Sequence, residues 1–408
     1  MSKLAGIVQR QLKHDAPYAW FLRDQASTSP IFRSQHLAEL DNRLEAYLNC
    51  FELSQNGDQP IIAKLNLKDW GSVYVIALVS LRTNDSITFD KAIDALKEQQ
   101  QAKELSDALC RVDFNTAKPY LCKLIKHENP LARIAAITAS GFFTKDIDKA
   151  VLQGLLKDSP EVIVATLDVI GKNKLINFKP DVTELLTHDE ENVRFQAAYT
   201  GNLLGLTSAF SPLQKFCFNE TPHLRKALSL LYQVVNESEI KPALNKIQKS
   251  AFSPRIKAYN IAMSGLPEMI PILLEWMNDP EYAPLAGEAF SFITGADIEE
   301  DDLSILDVSL CESQEAPLAE KRKKDPWTEG YEDDLPWPEP ELVKQWWRAH
   351  QHQFQNGTRY LAGKTLTEAH LNDVLIHGTQ PQRHIASLIL TIKNPLDTMI
   401  DVTRFNQL

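Results

Sequence analysis

Asn129-Pro-Leu-Ala-Arg-Ile-Ala-Ala-Ile-Thr-Ala-Ser-Gly141 is the stretch on which the reading of this chain turns. A residue able to cap a helix stands first, proline follows, an apolar-periodic run comes next, and glycine closes the stretch eleven residues after the proline. The same order recurs from Pro160 to Gly171, from Pro254 to Gly265 and from Pro284 to Gly295. Two further copies lack one marker: Glu190 to Gly201 begins without proline, and Pro222 to Gln233 ends without glycine. The beat is roughly thirty residues, within the range of arrays built from stacked helix pairs.

Each marker has a physical reason. Asn129, Ser159, Asp189, Thr221 and Ser253 precede the copies, and their side-chain oxygens can accept an amide left free in the first helical turn. Proline at the first helical position loses nothing, because its missing N–H would have been unpaired there. Glycine near the end suits a helix terminus or a close helix–helix contact. Ala283 departs from the capping rule. A second apolar stripe at helical spacing precedes each Pro-led segment, for example Val182, Leu185 and Leu186, or Ile240, Leu244 and Ile247. No hairpin turn flanked by alternating strands interrupts this stretch. The fold class predicted is all-α, an α-solenoid of HEAT-like helix pairs, with about six pairs over 117–295.

Arg133, Arg194, Arg225 and Lys257 recur early in the Pro-led helices. They read as a structural ladder joining neighbouring repeats through acids such as Asp158 and Asp189. A basic ligand-binding stripe is the alternative.

The flanks differ. Over 1–116 the chain is helical without a clean repeat: Leu37, Leu40, Leu44 and Leu48 form one stripe, Gly71 to Leu81 is almost wholly apolar, and Phe89 to Leu109 alternates Ile93, Leu96, Leu105 and Leu109 with charges. This region is expected to cap the array, whose terminal repeat would otherwise expose its apolar face. The glutamines at 99–101 read as a solvated helix face. Between 296 and 340 acidic and basic runs alternate, and Pro317, Pro326, Pro336, Pro338 and Pro340 forbid a continuous helix. This is a charged, Pro- and Trp-containing insertion of the length at which loops are often functional. From 341 to 408 helix resumes, with Pro381, Arg383 and Ile385 to Leu390 resembling one more Pro-led repeat.

Aromatic residues crowd the insertion and the start of the C-terminal region. Trp327, Tyr331, Trp337, Trp346 and Trp347 either dock this segment onto the array or form a partner-binding patch, for which Trp, Tyr and Arg are the favoured residues. Arg359, Tyr360 and Arg383 join them as candidate partner-binding residues.

Composition narrows the classes further. A net charge of −11 disfavours a nucleic-acid binder, which needs a Lys/Arg stripe to displace counterions. Cys50, Cys110, Cys122, Cys217 and Cys311 are odd in number and scattered, which fits free thiols in a reducing compartment. The N-terminus has no signal-peptide pattern, and the longest apolar run, Val73 to Leu81, is too short to span a bilayer. A cytoplasmic address and no membrane partner are expected. No nucleophile elbow, phosphate loop, dinucleotide fingerprint or His-Glu-x-x-His is present. His370, His377 and His384 stand at heptad spacing, but Gly378 and Pro381 break any single helix through them, so neither metal nor cofactor is expected.

Five segments in order carry a resemblance: His36-Leu-Ala-Glu-Leu-Asp-Asn-Arg-Leu-Glu-Ala-Tyr-Leu48, Ala286-Gly-Glu-Ala-Phe-Ser-Phe-Ile-Thr-Gly295, Leu335-Pro-Trp-Pro-Glu-Pro-Glu-Leu-Val-Lys-Gln-Trp-Trp347, Arg359-Tyr-Leu-Ala-Gly363 and Gln382-Arg-His-Ile-Ala386. Together they resemble an uncharacterised family of bacterial HEAT-repeat proteins often encoded among type VI secretion genes. The resemblance implies a HEAT-like fold and a place beside a secreted effector or the secretion apparatus, and it brings no catalytic residues. The expected function is therefore a non-catalytic scaffold or adaptor with a protein partner. The alternatives are an immunity-like inhibitor of a toxin and a helical-repeat enzyme acting on nucleic acid, which would need a basic groove at a flipped base.

Overall fold

The Pro-led segments are helices, and the elements between them are helices too. In the computed structural model, residues 3–54, 62, 65–143, 148–305 and 334–404 are described. The described elements run α1 (Lys3–Ala26), α2 (Ser34–Ser54), α3 (Trp70–Thr83), α4 (Ser86–Asp94), α5 (Gln99–Leu109), α6 (Phe114–Leu124), α7 (Pro130–Phe143), α8 (Lys149–Leu155), α9 (Pro160–Lys172), α10 (Lys179–Leu185), α11 (Glu191–Leu203) and α12 (Phe210–Cys217). They continue with α13 (Leu224–Val234), α14 (Glu237–Gln248), α15 (Pro254–Ser264), α16 (Ile270–Trp276), α17 (Ala283–Thr294), α18 (Pro340–His350), β1 (Tyr360–Leu361), β2 (Lys364–Thr365), α19 (Glu368–His377) and α20 (Gln380–Lys393). The protein is all-α apart from this two-residue antiparallel hairpin among the described residues. Most of the insertion, with Trp327, Tyr331 and Cys311, lies outside the described residues.

The chain divides into two compact units: Met1–Thr28, Gln35–Phe210 and Pro395–Gln407 make the first, and Ser29–Ser34 with Ser211–Asn394 make the second. In the first unit alternate helices pack side by side, α1 on α3, α3 on α5, α5 on α7, α7 on α9 and α9 on α11. The helices between them pack against these, α4 on α3, α6 on α7, α8 on α9 and α10 on α11. In the second unit α13 packs on α15 and α15 on α17, with α14 against α15 and α16 against α17, while α20 packs on α13 and on α19.

Burial explains the layering. Every residue from Gly71 to Leu81 of α3 is buried, because α3 lies between α1 and α5 and has neighbours on both sides. The small residues of the Pro-led helices let neighbours come close: a Cβ added at Gly141 of α7 would lie 2.8 Å from the Val169 side chain of α9. Gly265 and Gly295 take the other role foreseen for the glycines, ending α15 and α17 in the left-handed conformation at φ 68° and 76°.

Caps follow the sequence only in part. Asn129 Oδ1 accepts from the Leu131 amide at 3.0 Å, and Ser253 Oγ accepts from Ile256 at 3.4 Å. The Ser159 and Thr221 hydroxyls are buried and cap nothing. Helix α13 starts only at Leu224 with His223 at its cap, and Glu190 rather than Asp189 holds that position for α11. The segment Phe89 to Leu109 is two helices, broken where Glu98 and Gln101 form a reciprocal capping box. The glutamine run is a solvated face only in part, with Gln99 exposed and Gln100 half-buried. Gln101 is buried, and Gln100 donates to Glu104 at 2.6 Å.

The basic residues of the repeats have different fates. Arg133 pairs with Asp158 at 2.8 Å, joining α7 to the turn before α9. Arg194 donates to the carbonyls of His188 and Asp189. Arg225 lies over the Tyr259 ring at 5.0 Å. Lys257 is half-buried on α15. Among the described residues no helix is long and apolar enough to cross a membrane.

Candidate functional site

The second unit contains every described residue singled out as partner-binding, and the geometry begins with helix C-termini. Four carbonyls at the end of each helix have no intrahelical partner and carry the negative end of its dipole. The segment Arg359 to Gly363 supplies donors to three such ends. Arg359 Nε donates to Ser264 O at 2.9 Å, and its terminal nitrogens donate to Tyr232 O at 2.6 Å and Met263 O at 3.2 Å. The Tyr360 amide donates to Gly265 O at 2.8 Å. The Ala362 and Gly363 amides donate to Phe292 O and Ile293 O at 2.8 and 3.0 Å. One short hairpin thus caps α13, α15 and α17 in turn. Its tip presses so closely on α17 that a Cβ at Gly363 would lie 2.6 Å from Thr294 O.

This accounts for Arg359 without a carboxylate partner. A fourth contact reaches Gln233 Oε1 at 3.2 Å. All its direct acceptors are neutral, so burial holds the guanidinium down to about 10, and the helix ends stabilise its charge in place of an acid. Beside it lies a cleft of about 600 Å³ lined in part by Glu237, Lys241, Thr367 and Ile392. Lys241 is committed to Glu268 at 2.7 Å.

The tryptophans form a ladder behind the hairpin. On α18 Trp346 meets Phe290 of α17 edge-on at 5.5 Å and stacks on His350 at 4.0 Å. Trp347 touches Phe290 at 6.3 Å and Phe354 at 5.3 Å, and Phe354 meets Tyr360 at 4.9 Å. Both indoles remain half-buried rather than enclosed. Trp337 is also half-buried, and its carbonyl accepts from the Ile305 amide at 2.9 Å, where Ser304 and Pro338 form an isolated bridge. Arg383 is buried on α20, and its Nε donates to Leu375 O at 2.7 Å. The structure brings Trp346, Trp347 and Tyr360 into one aromatic chain with Arg359 adjacent in sequence, and places Arg383 on a different pair of helices.

The histidines at heptad spacing do separate things. His370 is buried, with Nε2 2.7 Å from Leu361 O, and His377 is exposed on α19. Among the described residues no group of three His, Cys, Asp or Glu side chains could hold a metal ion.

A second polar cluster, in the first unit, was not legible in the sequence. Trp20 of α1 stacks on Tyr74 of α3 with ring centroids 3.5 Å apart and interplanar angle 2°. Its indole N–H donates to Glu104 of α5. Asp41 of α2 accepts from Arg23 at 3.1 Å and from Arg111 at 2.7 Å, and Arg111 also donates to Tyr74 Oη at 2.8 Å. The members are scattered over four helices with no local spacing to mark them. Burial pushes the Glu104 carboxyl up to about 8, with Asp24 and Asp107 reinforcing and Lys103 opposing it. A shifted acid in a cleft would suggest catalysis. The adjoining cavity is only about 20 Å³, far below the several hundred Å³ of a substrate pocket. In its larger neighbour, a groove of about 880 Å³, Arg82 is already paired with Glu45 and Glu52.

Glu104 makes stability depend on pH. The folded state keeps the proton between the unfolded value of 4.5 and about 8. Stability therefore falls as pH rises through that interval, since the unfolded carboxyl ionises first. Between pH 6 and pH 9 the loss expected is about 2–3 kcal/mol. Urea denaturation at the two pH values should show this slope in the native protein and a flatter one in Glu104→Gln.

No protein-family model matches this sequence, and no curated protein and no solved structure is significantly similar to it.

Proposed function

We propose that this chain is a HEAT-like helical-repeat scaffold or adaptor that holds a protein partner in the cytoplasm, in the service of a type VI secretion system or its effectors, and performs no catalysis. The side-by-side packing of alternate helices within each unit supports the repeat reading. The observation that carries the binding role is the half-buried pair Trp346 and Trp347 on α18. Each indole is seated against Phe290 yet keeps surface free, the arrangement in which tryptophan contributes most to protein association.

The test compares tagged native protein with a Trp346→Ala, Trp347→Ala double variant by affinity purification from the native cells and mass spectrometry. A secretion component or neighbouring effector should co-purify with the native chain and fall at least about tenfold with the variant, as expected for two interface anchors. Helix content by circular dichroism should be unchanged. Equal recovery with both chains would remove the tryptophans from the interface, and recovery of nucleic acid alone would overturn the scaffold reading.

A further inference from the structure

The last described segment of the chain behaves as a bound ligand of the first unit. Residues 395–404 have no helix or strand. Backbone contacts to the helices include the Met399 amide, which donates to Lys172 O at the end of α9 at 2.7 Å, and Thr403 O, which accepts from Arg23 of α1. The anchors are side chains. Val402 is buried, whereas residues 395–398 are exposed. Arg404 inserts between α5 and α7, with Ser106 Oγ at 3.5 Å, an Asp107 carboxylate oxygen at 3.9 Å, the Cys110 sulfur in contact, and the Phe142 ring centroid 5.6 Å away.

That set is a guanidinium receptor. It has a carboxylate, a hydroxyl, a soft sulfur and an aromatic face, all supplied by the helices and none by the tail. Burial pushes the Cys110 thiol up to about 12, so it meets the cation as a neutral group. Within the tail Asp401 pairs with Arg404 at 3.2 Å and turns the chain through its own bonds to Thr403. The fit also leaves space. A cavity of about 270 Å³, lined by Thr138, Asp168, Lys172 and Asn173, remains beside Met399 and Asp401. A segment without helix or strand, an arginine held by helix side chains, a buried Val402 and unfilled room alongside are the features of a linear peptide in a groove.

We propose that this face of α1, α5, α7 and α9 is a binding groove for a non-helical, arginine-bearing segment of a protein partner, and that the chain's own tail occupies it in cis as a competitor. A tethered ligand acts at an effective concentration on the order of millimolar. A partner segment must therefore displace the tail, and weakening the tail exposes the groove's own affinity. The groove is independent of the tryptophan ladder, which lies in the other unit.

The probe is a fluorescein-labelled synthetic peptide of residues 395–408, titrated by anisotropy into the 408-residue chain. The same chain carrying Arg404→Ala should bind it at least about tenfold more tightly than the native chain, because the cis competitor has lost its main anchor. The same peptide with Arg404→Ala should not bind, and adding Asp107→Asn to the Arg404→Ala chain should weaken binding about tenfold. A folded Arg404→Ala chain that binds the peptide no better than the native chain overturns the proposal and makes the tail a fixed strut. Should that variant fail to fold, amide exchange on the native chain decides. Exchange at Met399 much faster than in α7 and α9 supports a tail that opens alone, and equal protection overturns it.

Discussion

Replacing Asp41 with asparagine should destabilise the protein by about 3–5 kcal/mol, the range found when one partner of a buried ion pair is removed. Asp41 is 3% exposed and is shared by Arg23 and Arg111. Asparagine keeps the shape and one acceptor but leaves two guanidinium groups with an uncompensated charge away from water. The effect should be global, since these residues join α1, α2 and the turn after α5, and Arg111 extends the network to Tyr74 of α3. The control is Asp90→Asn. Its pair with Lys123 leaves both side chains nearly half exposed, so the change there should stay under about 1 kcal/mol. Urea denaturation followed by circular dichroism measures both. Equal midpoints for the two variants would mean that the cluster admits water and is not the clamp its geometry implies.

Gly71→Ala should destabilise the protein by about 2–4 kcal/mol, although alanine is the better helix former by about 1 kcal/mol. A Cβ at Gly71 would lie 2.2 Å from the Pro17 carbonyl oxygen and 2.8 Å from its carbon. The obstacle is backbone, so no rotamer change relieves it, and α1 must move away from α3. One turn further along each helix stand Trp20 and Tyr74, whose stacking requires the same close approach. The variant should therefore show altered tryptophan fluorescence together with a lower urea midpoint. A native spectrum with raised stability would show that α1 shifts freely and that the propensity gain dominates.

Much of this molecule was legible because its signals are local. Proline, a small polar residue and a 3.6-residue apolar period act within one helix, and α7, α9 and α15 begin at the very prolines that mark them. The stretch Gly71 to Leu81 reads as a buried helix because it is almost wholly apolar, and it is one. Cap positions were less legible: Ser159 has the right chemistry and an ordinary cap backbone, yet its hydroxyl stays unpaired, and Thr221 stands three residues before α13 begins. The hairpin at 360–365 was missed, since its turn places Ala362 and Gly363 at positive φ, a conformation in which alanine is no recognisable signal. Packing imposes it: the amides there are held by the end of α17.

The sequence by itself determined that the chain is helical, where α7, α9 and α15 start, and that tryptophans crowd the segment following the repeated pattern, since each depends on residues a few positions apart. Tertiary structure alone decided that Arg359 would cap two helices more than ninety residues upstream, and that Asp41 would be shared by arginines 18 residues before it and 70 residues after it. It also decided that Arg404 would lie in a receptor built by α5 and α7. A buried charge takes whichever partner folding brings within about 3–4 Å, and that proximity is set by how helices stack rather than by spacing along the chain.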